Sequence, residues 1–370
     1  MFHMKHFFIF GVYMKYYDLK AIKKYNADYN LIIGERSNGK TYALLKESIK
    51  NFMDSGKETA YIRRWKDDII GKRADNVYSS LVENMEVEKL TNGKYESVVF
   101  SRGAWYLTKF DAEKKKMIAN TIPFCRAFSL SDVEHDKSTS YPNINLIVFD
   151  EFITRMYYLP DEFVIFMNVL STIIRDKNDV KIYMLANTVN KFCPYFDEMG
   201  LVNITTQQQG TIDLYSMGDN LKIAVEYCGN KLIKKSNKYF AFNNPHLQMI
   251  INGSWEIDLY KHLPQGTKIK PKEILYTFYI KFGLKTIGCD VVLKDKNIFV
   301  FCRYQTKPIS NSIIYTTEYT IDMNTRKSFF VPIDKIDKYV RDLYNANRFF
   351  YQSNDIGEIV NNYVKQVTRG

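Results

Sequence analysis

Cysteine pairing is missing from this sequence. Its five cysteines, Cys125, Cys193, Cys228, Cys289 and Cys302, lie far apart, and none forms a C-x-x-C pair. A disulfide framework or zinc site is therefore not expected, and a reducing, intracellular setting is. The five histidines also lack metal-ligand spacing. His135 sits near Asp132, Glu134 and Asp136, a group that reads as loop charge. Long apolar runs are absent too. The run from Phe7 to Met14, inside "MFHMKHFFIFGVYMK", is too short to span a bilayer, so no membrane association is expected. No small-residue cleavage site follows it, so it reads as an N-terminal strand or extension rather than a signal peptide. Internal repeats and low-complexity tracts are likewise missing.

What is present is a 370-residue chain, 46% apolar, long enough for two domains with their own cores. The net charge of +11 is uneven: residues 1–200 carry 29 basic and 26 acidic side chains, residues 201–370 carry 23 and 15. The excess in the second half fits a polyanionic partner or an ordinary solvated surface, and charge alone does not choose.

The first half reads as α/β. "YNLIIG" (29–34) is a strand, and a helix follows over 40–56, with Leu44, Leu45, Ile49 and Phe52 at helical spacing and Gly56 as its cap. "TAYIRR" (59–64) is a second strand. "TNGKYESVVFSRGAWYLT" (91–108) reads as a β insertion with an Asn-Gly turn. "NINLIVFDEF" (143–152) and "VKIYMLANT" (180–188) are buried parallel strands around a helix over 161–175. The pattern divides the chain into a nucleotide-binding domain, 1–203, a connecting segment, 204–245, and a C-terminal α+β nucleic-acid-binding domain, 246–370. Strands are expected over 273–304, near 313–321 and near 328–331, and helices over 333–344 and 355–367.

Gly34, four intervening residues, then Gly39, Lys40 and Thr41 match the phosphate-binding P-loop. Glycine lets backbone N–H groups curl around phosphates without a Cβ in the way, and Glu35, Arg36, Ser37 and Asn38 lie along that curl. The helix N-terminus adds its dipole. Lys40 is placed to reach the β- and γ-phosphates of ATP, and Thr41 to offer a hydroxyl to Mg²⁺. At the end of "LIVFDE", Asp150 is the second Mg²⁺ residue and Glu151 the general base for an attacking water. That adjacent glutamate argues for an ASCE-type NTPase carrying its own base. Asn187 ends the next buried strand, either as a sensor of the γ-phosphate or as the start of a turn. Arg175 ends the 161–175 helix, either as a cation at a helix C-terminus or as an arginine finger for a neighbouring subunit.

The stretches "LIIGERSNGKTYA", "TAYIRRWK", "STSYPNINLIVFDEFI" and "IIRDKNDVKIYMLANTVNKFCPYF" together resemble the genome-packaging ATPase of small podophages of the Picovirinae type. The resemblance covers residues 28–200 clearly and 201–370 weakly. It implies a homopentameric ring motor that uses ATP to drive double-stranded DNA into an empty capsid. The capsid portal and a structural RNA of the prohead would be its partners, and the host cytoplasm and portal vertex its location. It further implies Arg175 as the trans-acting finger, Lys137 as a second basic residue reaching the neighbour's site, and Lys66 in a lid over the nucleotide. It also implies a smaller RNase H-like second domain without nuclease activity. Of that domain's acidic residues, Asp290 and Asp322 fall on strands, while Asp334, Asp337 and Asp342 read as one helix face. Lys231, Lys234, Lys235 and Lys238 form a basic cluster suited to sequence-independent phosphate contact. A packaging terminase with an active nuclease, and a nucleotide-gated scaffold with little turnover, are the alternatives.

Overall fold

The structure is a computed structural model. It describes residues 16–132, 140–154, 158–189, 193–228 and 260–369, apart from positions 205, 219, 284, 306–307, 309–310 and 319–323. The N-terminal run from Phe7 to Met14 lies outside the described residues. Among the described residues no helix is long and apolar enough to cross a membrane.

The first sheet begins with β1 (Tyr29–Gly34), whose apolar core is buried on both faces, as a central parallel strand requires. Helix α1 (Lys40–Ser55) follows directly and stops at Gly56, whose φ of +69° lets its N–H turn back to the Phe52 carbonyl. The remaining strands are β2 (Glu58–Arg63), β3 (Ser97–Ser101), β4 (Ala104–Asp111), β5 (Lys116–Ala119), β6 (Cys125–Ser129), β7 (Ile144–Asp150), β8 (Lys181–Asn187), β9 (Ile212–Met217) and β10 (Leu221–Tyr227). Their order is β3-β4-β6-β2-β7-β8-β1-β10-β9, with β5 beside β4. The run from β6 to β10 is parallel throughout. Helix α2 (Glu162–Ile174) packs Phe166, Leu170 and Ile173 on one face together with Leu31 and Ile33. On the other face α1 packs Leu44, Leu45 and Ile49 with Ile32. Alternate residues of β1 thus feed two cores, as period-2 side-chain alternation dictates.

Three expectations are corrected. Segment 204–245 is not simply a connector, because β9 and β10 within it belong to the first sheet. Ile223 and Val225 enter one core and Ala224 the other, so β10 is buried on both sides like an internal strand. The Asn92-Gly93 turn does not close the β insertion, because it follows a short helix, Glu86–Leu90. The hairpin reverses at Arg102-Gly103, with φ of +49° and +75°, where two pairing runs meet. Residues 328–331 form a turn rather than a strand, and Phe329 there is fully buried in the second core.

The second unit has β11 (Ile274–Phe282), β12 (Lys285–Lys294), β13 (Asn297–Tyr304), β14 (Ile314–Thr316), β15 (Thr325–Arg326) and β16 (Phe349–Tyr351), ordered β15-β14-β11-β12-β13-β16. An antiparallel meander, β11 to β13, is extended by β14 parallel to β11 and β15 parallel to β14. Strand β16 is added on the β13 edge, parallel to it. Helix α4 (Lys335–Asn345) and helix α5 (Asn354–Arg369) complete it, and a short helix α3 (Pro194–Glu198) belongs to the first unit. Asp334 is not on the face of α4. It is the N-cap, its side chain accepting from the Ile336 and Asp337 N–H groups.

Candidate functional site

The loop between β1 and α1 is held open by two glycines for two different reasons. Gly39 has a φ of +94°, a region that side chains disfavour. Gly34 has no such backbone demand, but a Cβ there would stand 2.7 Å from the Cys228 Cβ on the neighbouring strand end. Within the loop the Lys40 ammonium donates to the carbonyls of Gly34 (3.2 Å) and Glu35 (2.7 Å), and to Oδ1 of Asn38 (3.2 Å). It also reaches Oδ1 of Asn187 at 3.3 Å. Lys40 is buried, with its charge spread over oxygens and aimed into the curl of the loop.

Asp150 ends β7, and Oγ1 of Thr41 lies 3.3 and 3.2 Å from its two carboxylate oxygens. A hydroxyl and a carboxylate facing each other are hard oxygen donors of the kind Mg²⁺ takes, so Thr41 and Asp150 are the pair that would hold it. Asp150 is itself oriented by the Tyr61 hydroxyl at 2.7 Å and by Arg63 at 3.5 Å. Burial, with the Asp150 carboxylate adding to it, pushes the Tyr61 pKa well up, so this hydroxyl stays protonated and donates. Glu151 follows in a left-handed conformation, φ +62°. Its carboxylate is more than half exposed and pairs with Arg63 at 2.7 Å.

Strand β8 lies between β1 and β7, and therefore carries Asn187 between the loop and the two carboxylates. In register Asn187 stands beside Gly34. The three strand ends and the start of α1 border one cleft of about 370 Å³, lined by Ser37, Gly39, Lys40, Thr41, Asp150, Glu151 and Asn187 among others. Arg36 and Asn38 line it too, while Glu35 contributes its carbonyl to Lys40.

Two expected residues are not brought to this cleft within their own chain. Arg175 is the C-cap of α2, with φ +46°, close to where β7 begins. There its neighbour Lys177 donates to the Tyr141 carbonyl. Lys66 follows β2, and its ammonium meets Asp132 at 2.5 Å. Lys137, the basic cluster Lys231, Lys234, Lys235 and Lys238, and His135 lie outside the described residues. Tyr61, Arg63 and Arg64 are site residues that the sequence reading passed over as part of a strand. The available signal was position: paired arginines at the carboxyl end of a buried parallel strand stand where ligands bind in open α/β sheets.

A parallel sheet with a phosphate loop after β1, an Asp-Glu pair after β7 and an intervening strand ending in asparagine defines an ASCE-type P-loop NTPase fold. The family model for the podovirus DNA encapsidation protein (Gp16) matches residues 13–330. The chain belongs to that family. Its relatives include the DNA packaging proteins of Bacillus phages PZA and phi29, each 28% identical over 216 residues, a match spanning 57% of this chain and 58% of theirs. The matched stretch thus spans little more than half the length of these curated relatives. Among solved structures the fold is similar to the Phi-28 gp11 DNA packaging motor, with TM-score 0.58, 17% identity, and 96% of this chain and 98% of the other covered. It is equally similar to the bacteriophage Phi-29 genome packaging motor assembly, with TM-score 0.58, 20% identity, and 95% and 99% covered.

Proposed function

We propose that this protein is an ATP-driven motor that moves double-stranded DNA into a preformed capsid, working as one member of a homo-oligomeric ring, a pentamer. The observation that carries this reading is the convergence of Lys40, Thr41, Asp150, Glu151 and Asn187 on one cleft from three adjacent strand ends. Membership of the encapsidation family supplies the cargo.

In this reading the oxygens now around Lys40 give way to the β- and γ-phosphate oxygens of ATP, whose charge the ammonium neutralises. Mg²⁺, held by Thr41 and Asp150, would add further neutralisation at those oxygens. Glu151 accepts the proton of the attacking water, and Asn187 orients the γ-phosphate end through its amide. Arg175, which caps α2 near the start of β7 and does not line its own cleft, would act on a neighbour's, joined there by Lys137, with Lys66 over the nucleotide. Residues up to 228 form the ATPase unit, and the lysines of 231–238 and the second unit grip phosphate without reading sequence. The capsid portal and a prohead RNA are the assembly partners, at the portal vertex in the host cytoplasm.

The nuclease alternative is disfavoured by what its candidate carboxylates already hold. Asp290 is paired with Arg303 at 2.7 Å and accepts from Thr277 at 2.6 Å. Asp337 is buried against Arg326 and the Tyr315 hydroxyl. Asp322 lies outside the described residues. Arg326 also pairs with Asp334 at 2.8 Å, and among the described residues no group of three or more His, Cys, Asp or Glu side chains could hold a metal.

The test is ATP hydrolysis with double-stranded DNA by wild type, by Lys40→Ala, and by wild type mixed with Arg175→Ala. Activity lost with Lys40→Ala, and falling more steeply than the wild-type fraction in the mixtures, is expected. A linear fall would remove the ring mechanism, and undiminished Lys40→Ala turnover would remove the site.

A further inference from the structure

We infer that Arg64 is the positioning residue of the base: its guanidinium, clamped by Glu162, holds the left-handed turn at Glu151 and Phe152 and so sets where the Glu151 carboxylate stands. This rests on the reading of Glu151 as the base.

A non-glycine residue at φ +62° must be held there by its surroundings. Both carbonyls of the turn are held by one side chain. Arg64 donates through NH1 to the Glu151 carbonyl (3.1 Å) and through NH2 to the Phe152 carbonyl (2.7 Å). The Phe152 N–H is held separately, by the Leu185 carbonyl of β8 at 3.1 Å. The other edge of the guanidinium grips Glu162 in a two-pronged contact, Nε to Oε2 at 2.7 Å and NH2 to Oε1 at 2.9 Å. The side chains of Arg64 and Glu162 are 6% and 1% exposed. The Glu162 carboxylate is fixed in turn by the Leu159 N–H (2.8 Å) and the Tyr195 hydroxyl (3.0 Å).

Arg64 differs from an ordinary buried ion pair in where its donors go. A pair serving stability alone needs only Glu162. Here the guanidinium also reaches the two backbone carbonyls beside the base, a fork geometry that an ammonium cannot reproduce. The clamp also has an outlet. Tyr195 sits on α3, and Asp197 of the same helix abuts the β11–β12 turn so closely that a Cβ on Gly283 would stand 2.9 Å from Asp197 Oδ2. Glu162, which grips Arg64, thus also accepts from the helix that abuts the second unit.

The experiment compares Arg64→Lys with the double variant Arg64→Met/Glu162→Leu in the full chain. The double variant removes the clamp without leaving a buried charge unpaired, an exchange that folds often tolerate. Melting temperature, ADP affinity, kcat and KM, and hydrogen exchange over residues 150–154 are measured together. The expected result is near-wild-type melting, ADP affinity and KM, kcat lowered about 10²-fold, as a misplacement near 1 Å produces. Faster exchange at the Phe152 amide, with β1 amides still protected, should accompany it. A folded double variant with wild-type kcat overturns the inference, whatever its exchange shows. Failure of the wild type to hydrolyse ATP would instead sink the parent reading, and the exchange arm would still decide whether Arg64 holds the turn.

Discussion

The ammonium of Lys40 lies 3.3 Å from the amide oxygen of Asn187, although 147 residues separate them in the chain. They meet because β8 pairs with β1 so that Asn187 stands beside Gly34. Asn187 is therefore in reach of the same phosphate that Lys40 would bind. Asn187→Ala should leave ADP affinity within a few-fold of wild type and slow turnover by about 10- to 10³-fold, as loss of a preorganised donor does. Steady-state kinetics beside an ADP titration will check this, and equal losses of affinity and turnover would speak for a structural role.

Glu151→Gln keeps the shape of the side chain and removes its basicity. Nucleotide binding should persist while turnover falls about 10²- to 10⁴-fold. Single-turnover assays with radiolabelled ATP separate the two, and normal hydrolysis would take the role of base away from Glu151.

Gly34→Ala should fail for lack of space, since its Cβ would stand 2.7 Å from that of Cys228. Overpacking of this kind costs about 1–3 kcal/mol. The variant should melt earlier and bind ADP more weakly, and Cys228→Gly should restore part of both. An absence of rescue would mean that the clash is relieved elsewhere.

Burial pushes the thiols of Cys125, Cys193 and Cys228 up to about 12 from an ordinary value of 9.0. Above pH 9 the unfolded chain gives up these protons while the folded chain keeps them. The stability they lend is thus complete below about pH 9 and falls as the pH rises towards 12. Three such groups give a slope of about 4 kcal/mol per pH unit at most. Urea midpoints at pH 8.5 and 10.5 should show the fall, and a triple Cys→Ala variant should flatten it. Identical slopes would assign the effect to other groups.

The site was legible where its chemistry is local. The loop from Gly34 to Thr41, the pair Asp150–Glu151 and the final asparagine of β8 each sit at a strand end that hydrophobic runs marked clearly. Arg63 and Arg64 were not legible, because their partners Glu151 and Glu162 lie 88 and 98 residues away, and only strand order joins them. The placement of β10 was hidden for a similar reason. Its polar neighbours resemble a linker, while its membership of the first sheet depends on a non-local pairing with β1.

Strand β10 also has a mechanical meaning. It lies parallel to the strand that leads into the phosphate loop, and the Cys228 N–H at its end donates to the Ile33 carbonyl at 2.7 Å. Any tension arriving through the chain after Cys228 is therefore applied as shear along the ladder with β1, one residue from Gly34. A pull on the far part of the molecule has a path of a single hydrogen-bonded strand to the place where phosphate would be gripped. A fragment ending near residue 203 would lose that lever and leave β1 as a bare edge.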